Sequence, residues 1–373
     1  MLRPAPEVAA FAVAETTAQL AWRKPGTGPT RVTVANQTID VAPTGGPGAV
    51  VVEALDPDTH YVATVERRGL ATSRVEFRTL TAPPGAPLCR IATMSDLHLG
   101  CAYFGYTKLM RERPAPDEPS SDRCARAAMT EIDRWGPDRV VLKGDVVHLS
   151  NDSTWDVAAG LAVAAPQPVG LLPGNHEVGR RRELEVVAAA RARGFVVADP
   201  VVVIEHGGVR LVLADTTIEG HHEGRIDHVT EEVAEAVGDA TGPAVVLLHH
   251  NLQTTRYPTF KPPGIRGDHA RKFLDTIAAA NPATIVTSGH THRHRRRVHR
   301  GVVVVETGSP KDYPGTWTAM VVHEGGVRHE VRRVMRPDCL AWTERTRRAA
   351  LGLWGRWSPG QLGDRCFTHR WPT

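Results

Sequence analysis

The chain has 373 residues, of which 41% are hydrophobic and 23% charged, with a formal net charge of +4. This composition excludes a mostly disordered chain, and the length allows about two or three domains. So small a positive excess gives no global case for a nucleic acid or an anionic membrane surface as partner, and no apolar run approaches the roughly 18 to 20 residues of a membrane span. The start, MLRPAPEVAA, has no basic region leading into a long apolar stretch, so the expectation is a cytoplasmic protein without a membrane span. Five cysteines, at 89, 101, 124, 339 and 366, form no C-x-x-C pair and are expected to be reduced and structural.

In chain order, residues 1–80 are expected to form a small all-β sandwich. Short strand-like runs at residues 17–23, 30–35, 50–54, 60–67 and 74–80 are separated by turn-rich breaks such as KPGTGP and PTGGPG. The stretch from Leu55 through Asp56, Pro57 and His60 to Tyr61, followed by Val62, Thr64 and Glu66, resembles the corner and strand of a fibronectin type III domain. That resemblance implies a spacer or docking module, whose protein partner is unknown, and one that positions or extends the wall of a site elsewhere in the chain.

Residues 81–87, rich in Pro and Gly, are expected to form a stiff linker. From residue 88 to about 335, short apolar runs alternate with amphipathic stretches of helical length, which predicts a layered α/β domain built of βαβ units. Residues 336–373 form an extension carrying Trp342, Trp354, Trp357 and Trp371 among arginines, expected to pack these indoles on the main domain.

The chemistry stands at the ends of the apolar runs. Five of them terminate in candidate metal ligands: Asp96 with His98, Asp145, Asn175 with His176, His249 with His250, and His290 with His292. In an open α/β sheet, catalytic groups collect at the C-terminal strand ends, so five such runs predict a polynuclear metal site. The i, i+2 pairs Asp96/His98 and His290/His292 would point the same way in extended backbone. Glycines in Gly144-Asp145, Gly174-Asn175 and Gly289-His290 permit sharp turns and close backbone approach. Asp145, following an apolar strand with no acid beside it, is the candidate to bridge two cations roughly 3.5 to 4 Å apart, which would bind a hydroxide and clamp an in-line displacement at phosphorus.

Taken in order, Asp96-x-His98, Gly144-Asp145, Gly174-Asn175-His176-Glu177, Val246-x-x-His249 and Gly289-His290-x-His292 are similar to the calcineurin-like metallophosphoesterase signature. The resemblance implies two central sheets flanked by helices. It implies a first metal on Asp96, His98, Asp145 and His292, and a second on Asp145, Asn175, His249 and His290. His176 would protonate the leaving alkoxide with support from Glu177. The chain departs from the purple acid phosphatases, which it resembles in domain order: His148 stands where they place a tyrosine ligand three residues after the bridging Asp. Mixed His, Asp and Asn ligation suits Mn, Fe or Zn.

The segment Leu213-Ala214-Asp215-Thr216-Thr217 with Gly224-Arg225-Ile226 looks like that of class III cyclic-nucleotide phosphodiesterases. The expectation is therefore a phosphodiesterase acting on a small-molecule phosphate ester by attack of a metal-bridging hydroxide, with a cyclic nucleotide as one candidate. Alternatives on the same site are a phosphomonoesterase or nucleotidase, a nuclease and an inert metal-binding scaffold. The arginine run 293–300 is either a polynucleotide track or a hairpin at a sheet edge. Glu177, His148, His250 and Arg293 are candidate substrate contacts, although His249 rather than its neighbour His250 is the expected ligand. The insertion holding Cys101, Tyr103, Phe104, Tyr106 and Lys108 is expected to wall the pocket, and the loops around Lys261–Gly264 and Ser309–Tyr313 are further rim candidates.

Overall fold

Between Val8 and Arg78 the chain forms short strand runs, some of which alternate inward apolar and outward polar residues. In the strand His60–Arg67, for example, Tyr61, Ala63 and Val65 are buried and their neighbours face outward. A computed structural model, which describes residues 6–105, 108–113, 115–257 and 262–372, resolves these runs into two antiparallel sheets. One holds Val8–Val13, Ala18–Trp22 and Gly48–Val52; the other holds Gln37–Val41, Thr30–Val34, His60–Arg67 and Ser73–Arg78. Phe11, Leu20, Trp22, Val32, Tyr61 and Phe77 fill the space between them. The Tyr61 hydroxyl accepts the Asp56 N–H at 2.8 Å, which pins the corner where the chain changes sheet.

Beyond residue 86 two larger sheets stack face to face. The first has the order Val196–Val197, Gly170–Leu172, Arg139–Lys143, Pro87–Met94, Thr316–His323, Gly326–Arg333 and Cys366–Arg370. The second has the order Val201–His206, Val209–Ala214, Ala244–Leu247, Thr284–Ser288, Val302–Glu306 and Arg295–His299. The inner strands of both pair in parallel. They are buried on both faces, which is why they read as continuous apolar runs. Ile91, Val141, Leu172, Leu211, Leu247, Ile285 and Met320 form the layer between the sheets.

Helices Ser120–Trp135, Asp152–Ala162, Val186–Arg191 and Pro337–Thr346 cover the outer face of the first sheet, and Thr230–Gly238 with Gly267–Ala280 cover the second. The second of these begins where the Asn151 side chain accepts the Thr154 N–H at 3.1 Å, a typical N-cap. No helix among the described residues is long and apolar enough to cross a membrane.

Three local features differ from the sequence expectation. Strands at Val8–Val13 and Gln37–Val41 form without a clear alternating signal, one being alanine-rich and the other largely polar. The Pro/Gly stretch does not swing free: the Glu324 carboxylate accepts the Ala86 N–H at 3.0 Å and the Pro84 carbonyl accepts the Gly325 N–H at 2.9 Å. The Trp/Arg-rich end supplies the outer strand Cys366–Arg370 of the seven-stranded sheet, in addition to packing Trp342 and Trp371. The N-terminal sandwich docks on that strand and its neighbour, through Gln19 with Arg333, the Phe11 carbonyl with Arg365, and the Val13 N–H with Cys366 Sγ. The residues it bonds there are Arg333, Arg365 and Cys366, none of them a candidate ligand.

Candidate metal centre

Every sequence block predicted to carry a ligand follows the C-terminal end of a parallel strand. Asp96 and His98 follow Pro87–Met94, Asp145 follows Arg139–Lys143, Asn175 follows Gly170–Leu172, His249 follows Ala244–Leu247, and His290 and His292 follow Thr284–Ser288. The two sheets thus deliver seven donors to one edge. The local geometry is not the extended one expected from the i, i+2 spacing. Asp96, His98, Asp145, His290 and His292 all have φ between 47° and 69°, in the left-handed region. For residues other than glycine that region costs about 1–2 kcal/mol each, and such strain concentrates at functional sites. Turning through it brings each side chain back over the strand end instead of along it. Close packing beneath demands glycine at two points. A Cβ on Gly144, itself at φ +79°, would lie 2.5 Å from the His249 ring, and one on Gly174 would lie 2.2 Å from the Asp145 nitrogen.

The donors separate into two groups that share Asp145. On one side, His98 Nε2 is 3.7 Å from Asp145 Oδ2 and 3.4 Å from His292 Nε2, which is 3.5 Å from Asp96 Oδ1. On the other, His249 Nε2 is 3.5 Å from Asp145 Oδ1, 3.3 Å from Asn175 Oδ1 and 3.2 Å from His290 Nδ1. Each oxygen of Asp145 therefore faces one group.

The outward nitrogens of three histidines are fixed by acceptors. His249 Nδ1–H donates to the Lys143 carbonyl at 2.8 Å and His290 Nε2–H to the Pro263 carbonyl at 3.1 Å. His292 Nδ1–H donates to Asp312 Oδ1 at 2.6 Å, and Asp312 Oδ2 accepts the Trp354 indole N–H at 2.9 Å. With the outer nitrogen protonated, each ring turns a bare lone pair inward. Inward nitrogens 3.2 to 3.4 Å apart, beside carboxylate and amide oxygens, are a mutually repulsive arrangement unless a cation or proton lies among them. Neutral imidazoles, carboxylates and one amide, all buried to within a few percent except the half-buried His292, make a donor set that fits borderline divalent ions, without a thiolate.

Electrostatics agree with the division. Burial alone would raise the Asp145 pKa, but His249, His176, His290 and the His176 N–H outweigh it and hold the carboxyl below the usual carboxylate range. Burial would lower His292, yet Asp312 and Asp96 raise it. Burial together with the neighbouring His249 drives His290 down to about 3. Under the cluster lies Lys143, fully buried, whose ammonium donates to Thr287 Oγ1 at 2.9 Å, the Ser288 carbonyl at 2.9 Å and Thr307 Oγ1 at 2.6 Å. Burial pushes its pKa down to about 7.

The remaining candidates divide sharply. His176 borders the open side, its ring edge-on to His98 at a centroid distance of 4.4 Å and its N–H bonded to Asp145 Oδ1 at 2.9 Å. His148 stands near it, with Nε2 hydrogen-bonded to the Tyr103 hydroxyl at 2.9 Å, so the insertion does reach the site. Three expected substrate contacts require correction. Glu177 is fully buried and accepts N–H groups from Val147 at 2.7 Å, Gly174 at 2.8 Å and Asp145 at 3.0 Å, which makes it a clamp on the strand-end loops. Burial and Asp145 push its pKa up to about 8. His250 is fully buried, bonded to Thr216 Oγ1 at 2.8 Å. Arg293 is buried and donates to Glu306 at 2.7 Å.

The arginine run is an edge hairpin: Arg297 donates to the Leu252 carbonyl, Arg296 stacks on Phe367, and Arg300 pairs with Asp275. Cys101 Sγ donates to the Tyr103 carbonyl, away from the donors. Tyr106 and Lys261 lie outside the described residues. Asp312, Trp354 and Lys143 carried no spacing signal in the sequence, since their roles arise only from tertiary contact. Beside Pro263 and Gly264 opens a cavity of about 420 Å³, lined also by Arg225, Asp227, Arg256, Tyr257 and Arg266.

A family model described as calcineurin-like phosphoesterase matches residues 89–294. A protein of Rhodopseudomonas palustris named a probable cyclic nucleotide phosphodiesterase is 28% identical over 198 residues, covering 47% of this chain and 65% of that one. A cAMP/cGMP dual specificity phosphodiesterase of Mycobacterium tuberculosis is 28% identical over 123 residues, covering 31% of this chain and 36% of that one. The chain thus spans just under two thirds of the first relative's length and about a third of the second's. Among solved structures, a dimetal phosphatase from Danio rerio superposes with a TM-score of 0.51 at 13% identity, over 67% of this chain and 97% of that one, which is a likeness of fold.

Proposed function

Because the chain belongs to the calcineurin-like phosphoesterase family, we propose that it is a metal-dependent phosphoric ester hydrolase that cleaves a small-molecule phosphodiester, with cyclic nucleotides as the leading substrate class. The observation that carries this reading is the seven-donor cluster with one Asp145 oxygen turned to each half. Asp96, His98, Asp145 and His292 would hold one ion; Asp145, Asn175, His249 and His290 would hold the other. Bound there, Mn, Fe or Zn supplies Lewis acidity at phosphorus and an activated water at neutral pH.

The chain's own residues do the rest. Asp145 holds the two halves in register, while the carbonyls of Lys143 and Pro263 and the Asp312 carboxylate fix the ring orientations. His176, on the open side, gives a ring proton to the departing ester oxygen, and burial, opposed by Asp145, makes that proton easier to release. The cavity beside Pro263 has room for the remainder of the ester, with arginines and Tyr257 to meet a polar, flat group. The printed names of the two bacterial relatives support a diester. The internal pairing of the arginine hairpin removes the main support for a nuclease.

The test is hydrolysis of bis(p-nitrophenyl) phosphate and p-nitrophenyl phosphate by protein stripped of metal and reloaded with Mn, Fe or Zn, beside Asp145→Ala. Diester turnover that exceeds monoester turnover and vanishes in the variant is expected. Silence on both esters with two ions bound would overturn the reading.

A further inference from the structure

Building on the hydrolase reading, we propose that Lys311 is a substrate-anchoring cation, which binds a phosphate oxygen of the ester beside the Asp96, His98 and His292 half of the site. The loop between the strands Val302–Glu306 and Thr316–His323 carries it, and hydrogen bonds fix that loop at every side. The Ser309 hydroxyl donates to the Asp96 carbonyl at 2.7 Å, and the Lys311 N–H donates to Ser309 Oγ at 3.1 Å. The Lys311 carbonyl accepts the Trp342 indole N–H at 2.6 Å, and the Tyr313 N–H donates to Thr346 at 2.8 Å. Lys311 is therefore held between a residue bonded to the first ligand block and Asp312, which is bonded to His292.

The residue as a whole is only 7% exposed. Among the described residues no carboxylate or other acceptor pairs with its ammonium. Its charge nevertheless acts on His98, His148, His176 and His292, the imidazoles around the open face. The contrast with Lys143 is direct, since that amine is fully buried on three oxygen acceptors, while the Lys311 ammonium has no acceptor among the described residues. The nearby carboxylates are committed. Asp312 takes His292 and Trp354, and Asp96 accepts the His290 N–H while facing His292. The acceptor open to the Lys311 ammonium is therefore an anion delivered from the open face. A tetrahedral oxyanion with one oxygen at the ammonium satisfies it, since lysine acts as a point charge toward phosphate.

The experiment uses the full chain loaded with manganese, as wild type, Lys311→Met and Lys311→Arg, with inorganic phosphate as the probe in calorimetric titration and metal content measured alongside. Lys311→Met should bind phosphate about tenfold more weakly or worse at unchanged metal content, with KM for bis(p-nitrophenyl) phosphate rising more than kcat falls. Lys311→Arg should stay near wild type. Unaltered phosphate affinity in Lys311→Met would overturn the proposal, and so would loss of metal or of the folded state in that variant, because the side chain would then be structural. Wild-type protein that binds phosphate through Lys311 yet hydrolyses no phosphate ester would overturn the hydrolase reading and leave the anchor standing.

Discussion

The two halves of the donor cluster are braced by different means. In the half holding Asn175, His249 and His290, both histidines are oriented by main-chain carbonyls, those of Lys143 and Pro263. In the half holding Asp96, His98 and His292, one histidine is oriented by a side chain, Asp312, itself held by Trp354 from the C-terminal stretch, and His98 Nδ1 is buried without a hydrogen-bond partner. A carbonyl is present whatever the residue, so that half is set by the fold. The other half depends on two particular side chains, Asp312 twenty residues and Trp354 sixty-two residues beyond His292, and it can be weakened by single substitutions.

That contrast can be broken most completely at the shared residue. Asp145→Ala should lose both ions and reduce turnover to background, read by metal content and diester hydrolysis; one ion retained at full affinity would show that the halves do not depend on a common carboxylate. His176→Ala should leave both halves loaded while turnover falls by about 10²- to 10⁴-fold. Asp312→Ala sharpens the comparison, because manganese titration should show one affinity lowered by about 10- to 100-fold and the other preserved. Equal weakening of both would mean that the brace acts on the whole cluster. Trp354→Phe should produce the same asymmetry at a smaller size, about two- to fivefold, since Asp312 keeps its bond to His292 and loses one neutral donor.

The smallest effect concerns acid and the stretch that carries Trp354. His329 is fully buried, stacked on Phe367 at 4.8 Å with Nδ1–H donating to the Arg365 carbonyl, and burial drives its pKa down to about 3. The unfolded chain takes up a proton near pH 6.5, whereas the folded chain refuses it until about pH 3. The stability contributed by the neutral ring is therefore full above about pH 6.5 and is lost as pH falls toward 3, at no more than about 1.4 kcal/mol per pH unit. His329→Gln should melt below wild type at pH 7.5, and the gap should narrow at pH 5. A gap that widens in acid would contradict the assignment.

The sequence made the five ligand blocks legible because each combines a glycine turn with donors at the end of an apolar run, a local pattern. The i, i+2 pairs converge through left-handed backbone at Asp96, His98, His290 and His292, in place of the extended geometry that their spacing predicts. Asp312 and Trp354 were not legible as braces, because nothing near either position encodes the partner. Glu177 was visible beside His176 but its carboxylate proved to serve backbone N–H groups. Arg293 and its neighbours carried a strong charge signal that the fold consumes internally, through Glu306 and Asp275. The strand Cys366–Arg370 was hidden because it is short and bordered by arginines.

The docking of the N-terminal sandwich also imposes an order on the chain's assembly. Val13 leaves the ribosome early, but Cys366, whose sulfur accepts its N–H, is 353 residues further along. Gln19 likewise waits for Arg333, 314 residues away. The hydrophobic cluster inside the sandwich also takes in Val331 and Cys366, so its seat exists only once the last strand has joined the seven-stranded sheet. Contacts so distant in sequence form late. Their formation closes the molecule, so that a chain interrupted before residue 366 would present both an unseated sandwich and an open sheet edge to its neighbours.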